Sequence, residues 1–455
     1  MRNIVFEKGR SVLESKYFMI VLSLITLLSF ITGFSHLALY SSVIVGILVI
    51  IFKADFKCIL GVFLLALCAN RKNEYIFNGW LYVFFGLLII YAGCLIYYII
   101  VNRKEVWSKI KKDFVWWSLV VILVTMFISL INTPTIQESF MGIGAFSAAI
   151  AVYFVARTMI SRADETKEYI SYSFVIVGIT LALEIFITMI FRAANGEVVY
   201  DILKNKGLTV GIYNPNHIMA GINICFIMSI YYFINNKRLI SRIISLINML
   251  LFVSANLLMS CRGGYLGLIF SLALLVIVYV LTIKKSKETN FKQDLPYLIV
   301  GIVGSVSILV IIAIAGWSDV IFKVFDSGFD LSGRDRVYEI AWNRFIKNPI
   351  IGSGVYTSHY YLIKYEFGNI WNYHNHYLQI LSTCGILGGL AFTFYLVFSI
   401  KRTIQCNLYS SVLMVLTVYF LIHGALDTLY FNRELMLLLL IPISIIGERK
   451  RIEVV

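Results

Sequence analysis

Four short polar groupings interrupt a sequence that is otherwise strongly apolar, and each carries side chains able to do chemistry. The first is Cys261-Arg262-Gly263-Gly264-Tyr265-Leu266, in which Arg262 is the one charge between Ile243 and Ile283. A guanidinium offers a fixed fork of donors that suits a phosphate, although an arginine at a membrane edge also snorkels to water with no partner at all. The Gly-Gly pair reads as a tight turn between two spans, with Arg262 at its apex. The second grouping, Ser332-Gly333-Arg334-Asp335-Arg336, sets two arginines in the first turn of a predicted helix. Free N–H groups and the helix dipole there already attract an anion, and cations there cost stability. A negative partner is therefore expected: an external anion, or Asp330, Asp335 or Glu339 for Arg336 in particular.

His374-Asn375-His376 is the third grouping, placed where a long connection re-enters the membrane. Imidazole takes a proton near neutral pH. It serves equally as a polar cap, and with His359 and a carboxylate the H-x-H pair could bind a metal, though no further ligand stands at firm spacing. Fourth, Asn214-Pro215-Asn216-His217 opens a span with groups that could contact a sugar or cap the helix. Glu184, inside an apolar run, is a further candidate, because carboxylates within spans are functional by default.

The elements that must position these groups are membrane helices. Of 455 residues, 60% are hydrophobic and only 14% charged, against roughly 45–50% and a quarter in soluble domains. A soluble globule, a disordered chain and a disulfide scaffold are excluded by those figures. Seven cysteines, mostly inside apolar runs and without CxxC spacing, also argue against a zinc site. Low-charge runs predict spans near 17–33, 37–52, 57–69, 78–100, 114–132, 139–157, 169–191, 216–234, 243–260, 264–283, 296–315, 376–400, 409–426 and 433–447. The third is short enough to be re-entrant with the second, so the expectation is an all-α polytopic integral membrane protein of about 12–14 transmembrane helices. The N-terminal run reads as an uncleaved first span.

The net charge of +14 hints at nucleic acid, but the connections on one side carry about twice as many Lys and Arg as those on the other. The excess therefore reports orientation: a multi-pass protein of the cell (inner, cytoplasmic) membrane with both termini cytoplasmic and no nucleic-acid partner. All four groupings then fall on the extracytoplasmic side. The longest outer connection, 316–373, is long enough to have structure of its own. Ser332 to Asp335 fits a capping box, and Val337, Ile340, Ala341 and Phe345 fall on one face. Asn348-Pro349 ends that helix. The same connection is rich in aromatics (Tyr356, Tyr360, Tyr361, Tyr365, Trp371, Tyr373), whose faces can pack on sugar rings. No P-loop or dinucleotide-binding glycine pattern is present.

These residues resemble the O-antigen ligases and Wzy-type polysaccharide polymerases. Arg262-x-x-x-Leu266 is similar to their R-x3-L motif. His374-Asn375, nine residues and then Gly385-x-x-Gly388 match H-[NSQ]-x9-G-x-x-[GTV]. The helix from Gly333-Arg334 to Lys347-Asn348-Pro349-Ile350-Ile351-Gly352-Ser353-Gly354 resembles their shared loop segment, and Asn214-Pro215-Asn216 a further feature. The likeness covers roughly residues 205 to 400. Cys261 stands where many members have serine, and Tyr338 where tryptophan is usual.

The resemblance implies a GT-C-like, metal-independent glycosyltransferase without cofactor, acting on undecaprenyl-diphosphate-linked oligosaccharide at the outer leaflet. It implies N-terminal membrane helices over 1–200 and a catalytic region over 201–455. Arg262 and Arg334 would hold the diphosphate and stabilise the charge that grows on it, while His374 would take the proton of the acceptor hydroxyl. Arg336, Asn214, Asn216, His217, Asn375, His376, Tyr338 and Trp371 are the further candidate substrate contacts. Membrane lipid, a chain-length regulator and a flippase are the implied partners. Polymerase is favoured over ligase, because the other outer connections are too short to dock a large lipid core. A transporter ranks third, for want of internal repeats and of charges along a mid-membrane path.

Overall fold

The structure is a computed structural model that describes residues 2–52, 54–66, 68, 93, 96–97, 99–160, 164–204, 208, 210, 214–259, 261–283, 334–367, 370–404 and 407–446. The predicted spans 78–100 (for the most part) and 296–315 lie outside the described residues, as do Ser332, Gly333 and Asp330. Among the described residues the chain is all-helical, as expected, and contains no strand.

Six described helices are long and apolar enough to cross a membrane: Phe114–Asn132, Ile136–Met159, Asp164–Ala194, Pro215–Asn235, Leu239–Met259 and His376–Thr403. A seventh span results if Phe6–Glu14 and Lys16–Thr32, bent by 70° at Ser15, are taken together. The bend has a local cause. Ser15 leaves the helical region (φ −71, ψ 139) and its hydroxyl caps the second helix by accepting from Tyr17 N–H. The protein is thus a multi-pass helical membrane protein.

Two compact units form, interleaved along the sequence. The first is drawn from the described residues of Met1–Ser108, Thr158–Arg262 and Val280–Asp326. At its centre α1 (Asp164–Ala194) packs on α2 (Pro215–Asn235), α3 (Leu239–Met259), Lys16–Thr32 and Lys57–Ala66. Small residues permit close approach there: a Cβ on Gly178 would lie 2.5 Å from the Phe252 ring. Polar groups pair across the helices, Ser23 with Thr180 at 2.7 Å and Asn256 with Asn223 at 2.7 Å. Glu184 is fully buried within α1.

The second unit is drawn from Lys109–Arg157, Gly263–Tyr279 and the described residues of Ser327–Val455. Its axis is α4 (His376–Thr403), which packs on α5 (Phe114–Ser129), α6 (Arg334–Lys347) and α7 (Leu408–Gly424). Near one end Asp113, the N-cap of α5, takes Arg157 Nε at 2.5 Å and Arg402 Nη2 at 2.9 Å. Arg157 also donates to the Ile446 carbonyl at 2.8 Å, so this buried cluster ties several helix ends together.

The long helix α4 is broken. Gly385 sits at φ 65, ψ −164, a region open essentially to glycine alone. The freed backbone groups find partners in residues 349–354, which fill the gap: Ile386 N–H donates to Pro349 O (2.8 Å) and Leu387 N–H to Ile350 O (3.2 Å). In return Ser353 N–H donates to Ser382 O (2.9 Å) and Gly354 N–H to Thr383 O (3.0 Å). A Cβ on Gly385 would stand 2.3 Å from Ile350 O, and one on Gly352 (φ +74) 2.3 Å from Thr383 O. The glycines of the two motifs are therefore two halves of one joint. Irregular backbone within an apolar span is tolerable only when protein satisfies it in this way.

Candidate active site

The segment between Arg334 and His374 is built on its own small core. Helix α6 begins at Arg334 and ends at Lys347, one residue before the predicted Asn348-Pro349 stop. Val337, Ile340 and Ala341 are buried with Leu362 and Tyr373, and Phe367, Ile370 and Leu378 pack around them. At roughly 1.5–3 kcal/mol for each large apolar side chain fully removed from water, this cluster suffices to fix α6 against residues 370–373, the approach to His374.

His374 ends that approach in the left-handed region, at φ 50, where a residue other than glycine is uncommon. Three contacts hold it. Its carbonyl accepts from the Tyr338 hydroxyl (3.1 Å). The next residue, Asn375, caps α4 by accepting from Tyr377 and Leu378 N–H (3.0 and 3.1 Å). Its ring Nδ1 lies 3.3 Å from Asp427 Oδ1. Burial pushes the Tyr338 hydroxyl pKa up against the opposing pull of the Arg334 charge, so the phenol remains a donor.

Asp427 is the functional candidate that sequence reasoning missed. Its side chain is 3% exposed, against 22% for His374, and it also accepts from Thr428 N–H at 2.7 Å. A carboxylate on Nδ1 selects the tautomer with its proton there, which leaves Nε2 as the basic nitrogen. The available signal was one acidic residue closing the otherwise apolar run 409–426, but nothing local connects it to a histidine 53 positions earlier.

Residues 424–427 act as a hub. Gly424 meets His376, whose Nδ1 would be 1.8 Å from an added Cβ. Ala425 O accepts from Asn375 Nδ2 (3.0 Å), Leu426 O accepts from Arg334 Nη1 (2.6 Å), and Asp427 meets His374. Consecutive residues thus gather the candidate base, its cap and a candidate phosphate-binding arginine. Gly263, which follows Arg262, also lies here: a Cβ on it would be 3.1 Å from the His423 ring and 3.2 Å from Leu426 Cβ.

Arg334 donates to a neutral carbonyl, and no carboxylate pairs with it among the described residues. The carbonyl aims the guanidinium without cancelling its charge, which is what an anion site in the first turn of a helix needs. Arg336 is exposed, with its guanidinium 5.7 Å from the centre of the Phe367 ring; Asp335 and Glu339 do not pair with it.

The other predicted contacts are placed as follows. His376 is fully buried among Tyr377, Phe392 and Tyr430, and the Asn375 amide is taken up by backbone. His359 Nδ1 donates to Ile370 O (2.9 Å) and its ring stacks on Trp371, so it does not join His374 and His376 in a metal site. Gly263 and Gly264 are helical, with the helix starting at Arg262, so the expected Gly-Gly turn is corrected to a first helical turn. The Arg262 side chain is outside the description. Asn214, Asn216 and His217 belong to the first unit, where Asn214 caps α2 by accepting from Asn216 N–H (2.9 Å), Pro215 takes the first turn and His217 is buried.

A membrane bundle whose 334–376 segment sets an imidazole on a carboxylate beside an arginine bonded to a neutral carbonyl defines a class: multi-pass helical proteins with a polar site at the end of their spans. Residues 247–393, about a third of the chain, match the family described as O-Antigen ligase. The chain carries an O-antigen ligase family domain over those residues, and members of that family are membrane glycan-transferring enzymes of ligase and polymerase type. No curated protein matches the chain. The matched stretch takes in Arg262, Arg334, His374 and Gly385, whereas Asp427 lies beyond it.

Proposed function

We propose that the chain polymerises oligosaccharide repeat units carried on undecaprenyl diphosphate, at the outer leaflet of the cytoplasmic membrane and with both termini cytoplasmic. The observation that carries this reading is the His374–Asp427 pair fixed to the same four residues as Arg334. His374 Nε2 takes the proton from an acceptor hydroxyl. The hydroxyl oxygen forms the new bond to the anomeric carbon as the bond from that carbon to the diphosphate oxygen breaks, with inversion. Arg334 and Arg336 hold the diphosphate and stabilise the charge it gains on leaving, a role that the resemblance alone extends to Arg262. The released lipid diphosphate leaves with the electron pair, so the sugar–phosphate bond supplies the driving force and no nucleotide is consumed. Tyr338, Asn375 and His376 act by holding the base and its helix end, and Asn214, Asn216 and His217 are offered as glycan contacts from the resemblance.

The family description favours a second reading, transfer of finished glycan to a lipid acceptor. Purified protein given only lipid-linked repeat units separates the two: a ladder of products supports the polymerase, and transfer only when lipid A core is added supports the ligase. His374→Ala that still built the ladder, in protein shown to be inserted, would end both.

A further inference from the structure

The aromatic rings of the outer segment are not alike. Tyr361 carries the Arg344 guanidinium 4.0 Å from its ring centre, Tyr360 carries Lys364 at 4.2 Å, and Phe367 carries Arg336 at 5.7 Å. Trp371 instead has the His359 ring stacked on one face, 3.9 Å between centroids and 7° from parallel, and is still 65% exposed. Its exposure therefore belongs to the opposite face and the edges. Its indole N–H has no hydrogen-bond partner among the described residues.

This exposure is held rigidly. His359 is fixed through Ile370 O, and Trp371 O accepts from Ser358 Oγ at 2.7 Å. Ser358 Oγ is in turn met by Gln379 Nε2 (3.1 Å), while Gln379 Oε1 accepts from Tyr373 N–H (2.9 Å). Residues 370–373, which lead into His374, are thus pinned on one side to the helix Ser358–Ile363 and on the other to the start of α4. A large apolar face kept out in water by a fixed backbone and a backing ring is a preorganised binding surface, since its ordering is complete before a ligand arrives.

We propose that Trp371, backed by His359, is a stacking platform for a sugar ring of the acceptor glycan, three residues from the base, and that it sets which acceptor is extended. This rests on the glycosyl-transfer reading of the site. A pyranose suits it: the C–H face lies on the indole while its hydroxyls meet the free N–H. An aromatic anchor in the lipid headgroups is the competing occupant. That role is disfavoured because Trp371 rises from a segment with its own core, whose other rings Tyr361 and Tyr360 carry the charges of Arg344 and Lys364.

The test uses full-length protein in nanodiscs and, as probe, the lipid-free oligosaccharide released by mild acid from the cell's own lipid-linked pool. Trp371→Ala should weaken probe binding about fivefold, the size of one aromatic face contact, and raise the acceptor KM by a similar factor with kcat preserved. Trp371→Phe should retain most of the affinity. His359→Ala should lose part of it and His359→Phe regain it. Equal probe affinity in wild type and Trp371→Ala would overturn the proposal. So would quenching by brominated phosphatidylcholine of the fluorescence that Trp371→Phe removes, which would make Trp371 a membrane anchor. Probe binding needs no polymerisation, so its loss on Trp371→Ala is separable from any failure of His374→Ala to stop transfer.

Discussion

In the first unit polar side chains are satisfied by one another across helices, as in Ser23–Thr180 and Asn256–Asn223. In the second, beside side-chain pairs such as Asp113–Arg402 and Gln379–Ser358, they also reach for main-chain carbonyls at interruptions of regular structure. Asn132 donates to Gly352 O, Arg334 to Leu426 O, Tyr338 to His374 O, Tyr356 to Phe431 O and Asn375 to Ala425 O. The difference separates two tasks. Side-chain pairs between intact helices set helix register, whereas side-chain bonds to carbonyls hold irregular backbone that would otherwise leave polar groups unsatisfied among apolar side chains. The second unit therefore carries positioning, and the sharpest ways to break the comparison are substitutions in it that should be costly.

The largest effect is expected for His374→Gln. Loss of a positioned general base costs roughly 10³-fold in rate, while glutamine at this position leaves Tyr338 its main-chain acceptor, so the protein should still fold. Transfer rate in nanodiscs against retention of monodisperse protein checks this. Gly385→Ala comes next. It asks a residue with a Cβ to adopt a conformation that only glycine reaches and to push on Ile350 O at 2.3 Å. A loss of about 3 kcal/mol or more is expected, seen as a lower melting temperature in detergent. Asp427→Asn should be milder. Asparagine can still accept from Thr428 N–H, but it no longer enforces the Nδ1-protonated tautomer, and a drop in kcat of roughly 30-fold with little change in KM follows. An Asp427→Asn enzyme at wild-type rate would remove Asp427 from the site.

How far the sequence foretold this arrangement depends on the range of the signal. Helix α6 was legible almost to the residue, because apolar spacing at Val337, Ile340 and Ala341 and the stop at Asn348-Pro349 are local. The six helices of membrane length among the described residues were legible for the same reason, whereas the expected spans at 264–283, 409–426 and 433–447 fall on apolar helices or helix segments shorter than that length. The break at Gly385 was not, since both halves of α4 are apolar and hydropathy runs smoothly across it; the glycine motif marked the place without revealing that residues 349–354 fill it. Asp427 was invisible because its meaning lies in a contact across 53 residues. His376 shows the converse limit. Two histidines in an H-x-H pair look equivalent in sequence, yet His374 stays part-exposed against Asp427 while His376 is fully buried in an aromatic enclosure.

The smallest predicted effect tests the other side of the comparison. Asn256 Nδ2 and Asn223 Oδ1 meet at 2.7 Å, buried between α2 and α3. Hydrogen bonds between helices in membranes are worth about 0.6 kcal/mol on average, because the separated helices also find partners. Asn256→Ala should accordingly lower stability by at least about that amount, Asn223→Ala likewise, and the double variant by less than the sum, as expected when two changes share a contact. Glycosyl transfer per folded molecule should be unchanged in all three. Should Asn256→Ala instead depress transfer tenfold with its melting temperature intact, the first unit would be shown to shape the reaction and not only to set register, and the division of labour drawn between side-chain pairs and carbonyl-directed bonds would have to be abandoned.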